Sequence, residues 1–79
     1  MILIEKKLIE MSSGEKGIVI GVESGERMIS RLEALGVYQG IEIMLISSQF
    51  MRGPVTIQAG RTKIALGRGM AEKIKVKTE

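Results

Sequence analysis

Apolar and polar residues alternate with period two along most of the chain. In Lys16-Gly17-Ile18-Val19-Ile20-Gly21-Val22, the residues Ile18, Ile20 and Val22 share one face, as a β-strand requires. The opposite face carries Gly17, Val19 and Gly21, and its glycines imply close backbone approach or strong coiling. Alternation returns with Ile41, Ile43 and Leu45 against Glu42, Met44 and Ile46. It returns again with Val55, Ile57 and Ala59 against Thr56 and Gln58. Thr62, Ile64 and Leu66 alternate with Arg61, Lys63 and Ala65. Ile74 and Val76 alternate with Lys73, Lys75 and Lys77. These patterns predict five short strands.

One segment follows a different period. Between Glu26 and Leu35 the apolar positions Met28, Ile29, Leu32 and Leu35 have helical spacing, so an α-helix is expected over about residues 25–35. Ser24 or Gly25 can cap its start, and Glu26 suits the positive end of the helix dipole. Gly36 follows the last apolar position and suits the left-handed residue that ends a helix. Gly67 to Glu72 reads as a short helical turn before the last strand. Pro54, the only proline, stands at the start of a strand, where a missing N–H does least harm. The pattern predicts an all-β fold: a small, nearly closed barrel with one inserted helix, because closure spares short strands their open edges.

Composition narrows the chemistry. The chain has 79 residues, no cysteine, no histidine and one residue each of Phe and Tyr. One domain with an aliphatic core is therefore expected, without disulfide staples. Every acidic side chain is a glutamate, and no two form an obvious pair on one helix face. Neither a nucleophile–imidazole pair nor a thiolate can be assembled, so no catalytic residue is assigned. The methionines Met11, Met28, Met44, Met51 and Met70 are scattered. Their soft thioethers suit Cu(I) better than Fe(II), so they read as adaptable packing or sticky surface residues. No metal ligand and no cofactor are assigned. The opening Met-Ile-Leu-Ile run is cut off by Glu5, Lys6 and Lys7, which gives neither a signal peptide nor a membrane span. A cytoplasmic protein is the expectation. The net charge of +3 is mild. Gly14-Glu15-Lys16-Gly17 is followed by a strand instead of a helix, so it is not a phosphate loop.

Six motifs occur in order: Gly14-Glu15-Lys16-Gly17-Ile18-Val19, Arg31-Leu32-Glu33-Ala34-Leu35-Gly36-Val37, Gly40-Ile41-Glu42-Ile43, Gly53-Pro54-Val55, Ile64-Ala65-Leu66 and Ala71-Glu72-Lys73-Ile74-Lys75-Val76. This set resembles the FeoA family, small cytoplasmic components of ferrous iron uptake systems, from about Leu8 to Val76. The resemblance implies an SH3-like barrel with a helix between its first two main strands. It also implies a non-enzymatic role, acting on the cytosolic part of the membrane transporter FeoB. Contact with the membrane would then come only through that partner. Family members also occur as modules fused to metal-dependent repressors, and this chain resembles the free form. Where the family often has Pro-Gly after its Leu-Gly-Ile loop, this chain has Val37-Tyr38-Gln39-Gly40. Residues 1–7 extend beyond the usual start as an edge strand or an arm, and residues 8–79 form the barrel domain.

Three surfaces compete as the docking face. The helix end offers Leu35, Val37 and Tyr38, although helical phase also assigns Leu32 and Leu35 to the core. The loop from Ser47 to Arg52 offers Phe50, Met51 and Arg52, with Phe50 alternatively plugging the barrel mouth. The basic residues Arg61, Lys63, Arg68, Lys73, Lys75 and Lys77 come from what read as adjacent C-terminal strands. They suit an acidic partner or a solvated, edge-protecting face. The alternative function is an adaptor that binds RNA or another protein through these strands. Two aromatic residues are few for base stacking, so no nucleic-acid partner is expected. Self-association through an exposed first strand is a further alternative.

Overall fold

In the computed structural model, which describes residues 3–48 and 53–78, six strands form a single antiparallel sheet. They are β1 (Ile4–Lys7), β2 (Lys16–Val22), β3 (Glu42–Ser48), β4 (Val55–Ala59), β5 (Thr62–Leu66) and β6 (Ile74–Thr78). Their order across the sheet is β1-β6-β2-β3-β4-β5. A ten-residue helix, α1 (Glu26–Leu35), joins β2 to β3, and one short turn of helix, α2 (Arg68–Ala71), joins β5 to β6. The fold is the expected SH3-like barrel with one inserted helix, but it has six strands instead of five. The additional strand lies in the N-terminal extension, where β1 pairs along β6 from Ile4 opposite Thr78 to Lys7 opposite Lys75.

The alternating patterns map directly onto burial in four strands. Ile43 and Leu45, Val55, Ile57 and Ala59, Ile64 and Leu66, and Ile74 and Val76 all face the core. Each fully buried aliphatic side chain contributes about 1.5–3 kcal/mol, so packing alone can hold a chain without staples. Leu8, from a 3₁₀ turn at Leu8–Glu10, and Leu32, from α1, close the core and are fully buried. Met11 is buried, and Met28 and Met70 pack half-buried against the core, which is the filling role expected of them.

β2 departs from its pattern. Val19 is fully buried while Ile18 is 46% exposed, so the face with fewer large residues is the inner one. Gly17 makes this possible, because a Cβ there would lie 3.0 Å from Thr78 Cγ2 and 3.3 Å from the Lys77 carbonyl oxygen. The inferred close approach is therefore real at Gly17. At Gly21 a Cβ would meet nothing within 4 Å. The pairing of β2 with β6 shifts between Val19 and Gly21, a bulge that returns Val22 to the core side.

Helix α1 begins at Gly25 and ends at Gly36, whose φ of 97° is the left-handed conformation that glycine adopts without penalty. Leu32 is its one fully buried residue. Leu35 is 45% exposed and does not belong to the core, contrary to its helical phase. The left-handed turn at Gly36 sends the chain inward directly after Leu35, and Val37 takes the core position instead.

Candidate functional site

The end of α1 presents an apolar surface by a short chain of local constraints. The Gly36 N–H donates to the Glu33 carbonyl at 3.0 Å, and the Val37 N–H donates to the Leu32 carbonyl at 2.8 Å. These bonds satisfy orphan carbonyls of the last helical turn and swing Val37 into the core. Farther along, Gly40 has a φ of 97°, and its N–H donates to the Val19 carbonyl at 2.7 Å. The loop is thus pinned at Val37 and Gly40, and Tyr38 between them is 49% exposed. Leu35 and Tyr38 flank the buried Val37 in the chain and are both exposed. Tyr38 borders a cleft of about 150 Å³ lined also by Gly21, Val22, Ile29, Glu33 and Gln39.

Of the residues offered from sequence as a docking face, Leu35 and Tyr38 are each about half exposed, on either side of Val37 in the chain. Val37 is fully buried and has no surface to offer, so its assignment is corrected. Its place in a loop concealed this, because no periodicity marks an inward-pointing residue after a helix stop. Phe50, Met51 and Arg52 lie outside the described residues.

The basic residues do not form one ridge. β5 is an edge strand, whereas β6 lies between β1 and β2, so Lys63 and the lysines of β6 sit on strands separated by three others. Their adjacency in sequence does not make them neighbours in the sheet. The short helix α2 carries the chain from β5 across to β6 instead of turning it back alongside.

Polar anchoring concentrates at the opposite end of β2. Glu15 accepts from the Ser12 N–H at 2.8 Å and from the Lys6 ammonium at 3.0 Å, with both side chains of the ion pair about one-fifth exposed. The Ser12 N–H foremost, then Lys6 and the Thr78 hydroxyl, hold the Glu15 carboxyl below the ordinary glutamate range. Glu15 thereby ties β1, the turn before β2 and the end of β6 together. Among the described residues, no cluster of three or more acidic, His or Cys side chains could hold a metal ion. No described helix is long and apolar enough to cross a membrane.

Known proteins place this arrangement. The FeoA domain model matches residues 6–78. A protein of Methanocaldococcus jannaschii, provisionally named Fe(2+) transport protein A, is 38% identical over 63 residues, which is 80% of this chain and 74% of its relative. A crystal structure described as an iron uptake regulatory protein, FeoA, superposes with a TM-score of 0.89 at 32% identity. That match covers 96% of this chain and all of the other. A manganese-dependent transcriptional repressor matches the whole chain with a TM-score of 0.87, but only 44% of the repressor is covered, at 15% identity. That likeness is one of fold alone. The match over residues 6–78 takes in every strand from the end of β1 to β6, and the chain belongs to the FeoA domain family.

Proposed function

We propose that this protein is a non-enzymatic, cytoplasmic accessory component of ferrous iron uptake that docks on the cytosolic part of a FeoB-type transporter and regulates it. The observation that carries the reading is the pair Leu35 and Tyr38, each about half exposed around the buried anchor Val37. A leucine on the last turn of a helix and a tyrosine on the short, doubly pinned loop after it offer contact area with little ordering cost on binding. Relatives named for Fe(2+) transport and iron uptake regulation support the biological setting. The separation of β5 from β6 weighs against the RNA-binding alternative, which relied on their lysines forming one continuous strip.

The test is titration of the labelled protein with the transporter's soluble cytosolic domain, followed by amide shift perturbation. Shifts should centre on residues 33–40. Leu35→Ser and Tyr38→Ser should each weaken binding roughly tenfold or more, as truncation of a central contact does. An absence of binding, together with normal iron uptake in a deletion strain, would sink the proposal.

A further inference from the structure

The outer face of the three neighbouring strands β1, β6 and β2 carries its own pattern. Lys7 and Lys75 are direct cross-strand partners, and so share one face of the sheet. Lys73 lies in the turn just before β6, and its charge, like those of Lys7 and Lys75, acts on the Glu23 carboxyl. Partners across a strand pair are about 5 Å apart at Cα, and alternate residues along a strand about 7 Å. Three ammonium-bearing stems therefore rise from a patch roughly 10 Å across. Like charges directly opposite each other in a sheet are destabilising, so the Lys7–Lys75 pairing does not serve the fold.

The Glu23 carboxylate answers them most directly, with Glu5 a lesser influence on Lys75. The Glu23 N–H donates to the Lys73 carbonyl at 2.7 Å, and its side chain forms an ion pair with the Lys75 ammonium. Gly21, opposite Lys75, leaves that approach open. Lys75, Lys7 and Lys73 all contribute to holding the Glu23 carboxyl below its ordinary range. The cluster retains an excess of two positive charges. Farther along the same face lysine and glutamate come in equal numbers: Lys77 is the cross-strand partner of Glu5, and Lys16 and Glu42 line one groove. At that end the surface turns apolar, with Leu3 and Ile18 each about half exposed along one groove.

A sheet face with a lysine cluster at one end and exposed aliphatics at the other suits an anionic bilayer surface. Lysines meet the headgroups, while Leu3 and Ile18 reach the boundary of the acyl region. We propose that this face rests on anionic lipid, so that the protein has a direct membrane contact in addition to its partner. The contact is electrostatic, reversible and weak, because only two charges are in excess. Each lysine near an anionic surface strengthens binding roughly fivefold, which gives about a thirtyfold preference for anionic over neutral membranes.

Sedimentation with vesicles tests this without the transporter, so its outcome is separate from that of the docking titration. Vesicles of equal phosphatidylglycerol and phosphatidylcholine should retain the protein about thirtyfold better than pure phosphatidylcholine at low salt, and 0.5 M salt should abolish the difference. The double variant Lys7→Gln/Lys73→Gln leaves the Lys75–Glu23 pair in place and should lose nearly all of the preference. Its urea midpoint should be unchanged or raised, which separates lost binding from lost folding. Ile18→Ser should weaken retention severalfold. Equal retention on both vesicle types, or full retention by the double variant, overturns the proposal. Binding to polyglutamate with none to anionic vesicles would reassign the face to an acidic protein and overturn it as well.

Discussion

Leu32 and Leu35 are one helical turn apart, yet they make opposite predictions. Leu32 is the only fully buried residue of α1, and Leu35 is 45% exposed. Replacing Leu32 by Ala removes three carbons from the core, a transfer loss of about 2.4 kcal/mol at roughly 0.8 kcal/mol per methylene. The cavity adds to that. Met28, half-buried beside the core on the same helix, can relax into part of it, so a total near 3 kcal/mol is expected. An unfolding entropy of about 2.1 cal/mol/K per residue gives about 0.17 kcal/mol/K for this chain. The melting temperature should therefore fall by about 18 °C. Leu35→Ala should cost less than about 1 kcal/mol, because half of its side chain never leaves water. Urea denaturation followed by circular dichroism measures both variants, with an unchanged m-value confirming that the unfolding reaction is the same. A loss below about 1 kcal/mol for Leu32→Ala would refute the view that one side chain anchors the helix. Equal losses for the two variants would refute the assignment of Leu35 to the surface.

Two further predictions concern β2 and the turn before it. Gly17→Ala gains about 0.4–1 kcal/mol from a stiffer unfolded chain but forces a methyl group against Thr78 and the Lys77 carbonyl. A net loss of about 1–2 kcal/mol is expected in urea denaturation, whereas Gly21→Ala, which meets open space, should be near neutral. A Gly17→Ala protein as stable as wild type would mean that the β2–β6 approach is looser than described. Glu15 has a folded-state pKa below its ordinary value. Its contribution is thus complete above about pH 4.5, the ordinary glutamate value, and disappears as the pH falls through the lowered folded value. Stability measured between pH 6 and 2 should fall less steeply on the acid side in Glu15→Gln than in wild type. Identical acid limbs would show that the Ser12 and Lys6 contacts do not stabilise the ionised form.

Local signals account for the elements. The span of α1 was legible because its start, its apolar spacing and its terminating glycine all lie within twelve residues, and the structure places it at Glu26–Leu35. Four strands were legible because each has one buried face, and burial imprints period two on the sequence. The ordered motifs led to the FeoA family for a related reason: they lie at the left-handed glycine turns and core strands of the barrel.

Tertiary structure decided everything that depends on a distant partner. Which face of β2 turns inward follows from Gly17 meeting Thr78, sixty-one positions away, and from a bulge that resets the phase at Gly21. Period-two reading favours the face with more large residues, and here packing against β6 overrules it. Sheet order also lies beyond a local reading, and it separates Lys63 from the β6 lysines while joining Lys7 to Lys75. Val37 is inside and Leu35 outside because the Gly36 turn redirects the chain between them, so the helix period stops predicting burial at the helix end. The sequence by itself determined which segments are strand and helix and which family they compose, since those signals are short-range. Which residues share the outer face of the sheet was decided only when β6 came to lie between β1 and β2, because that pairing joins segments distant in sequence.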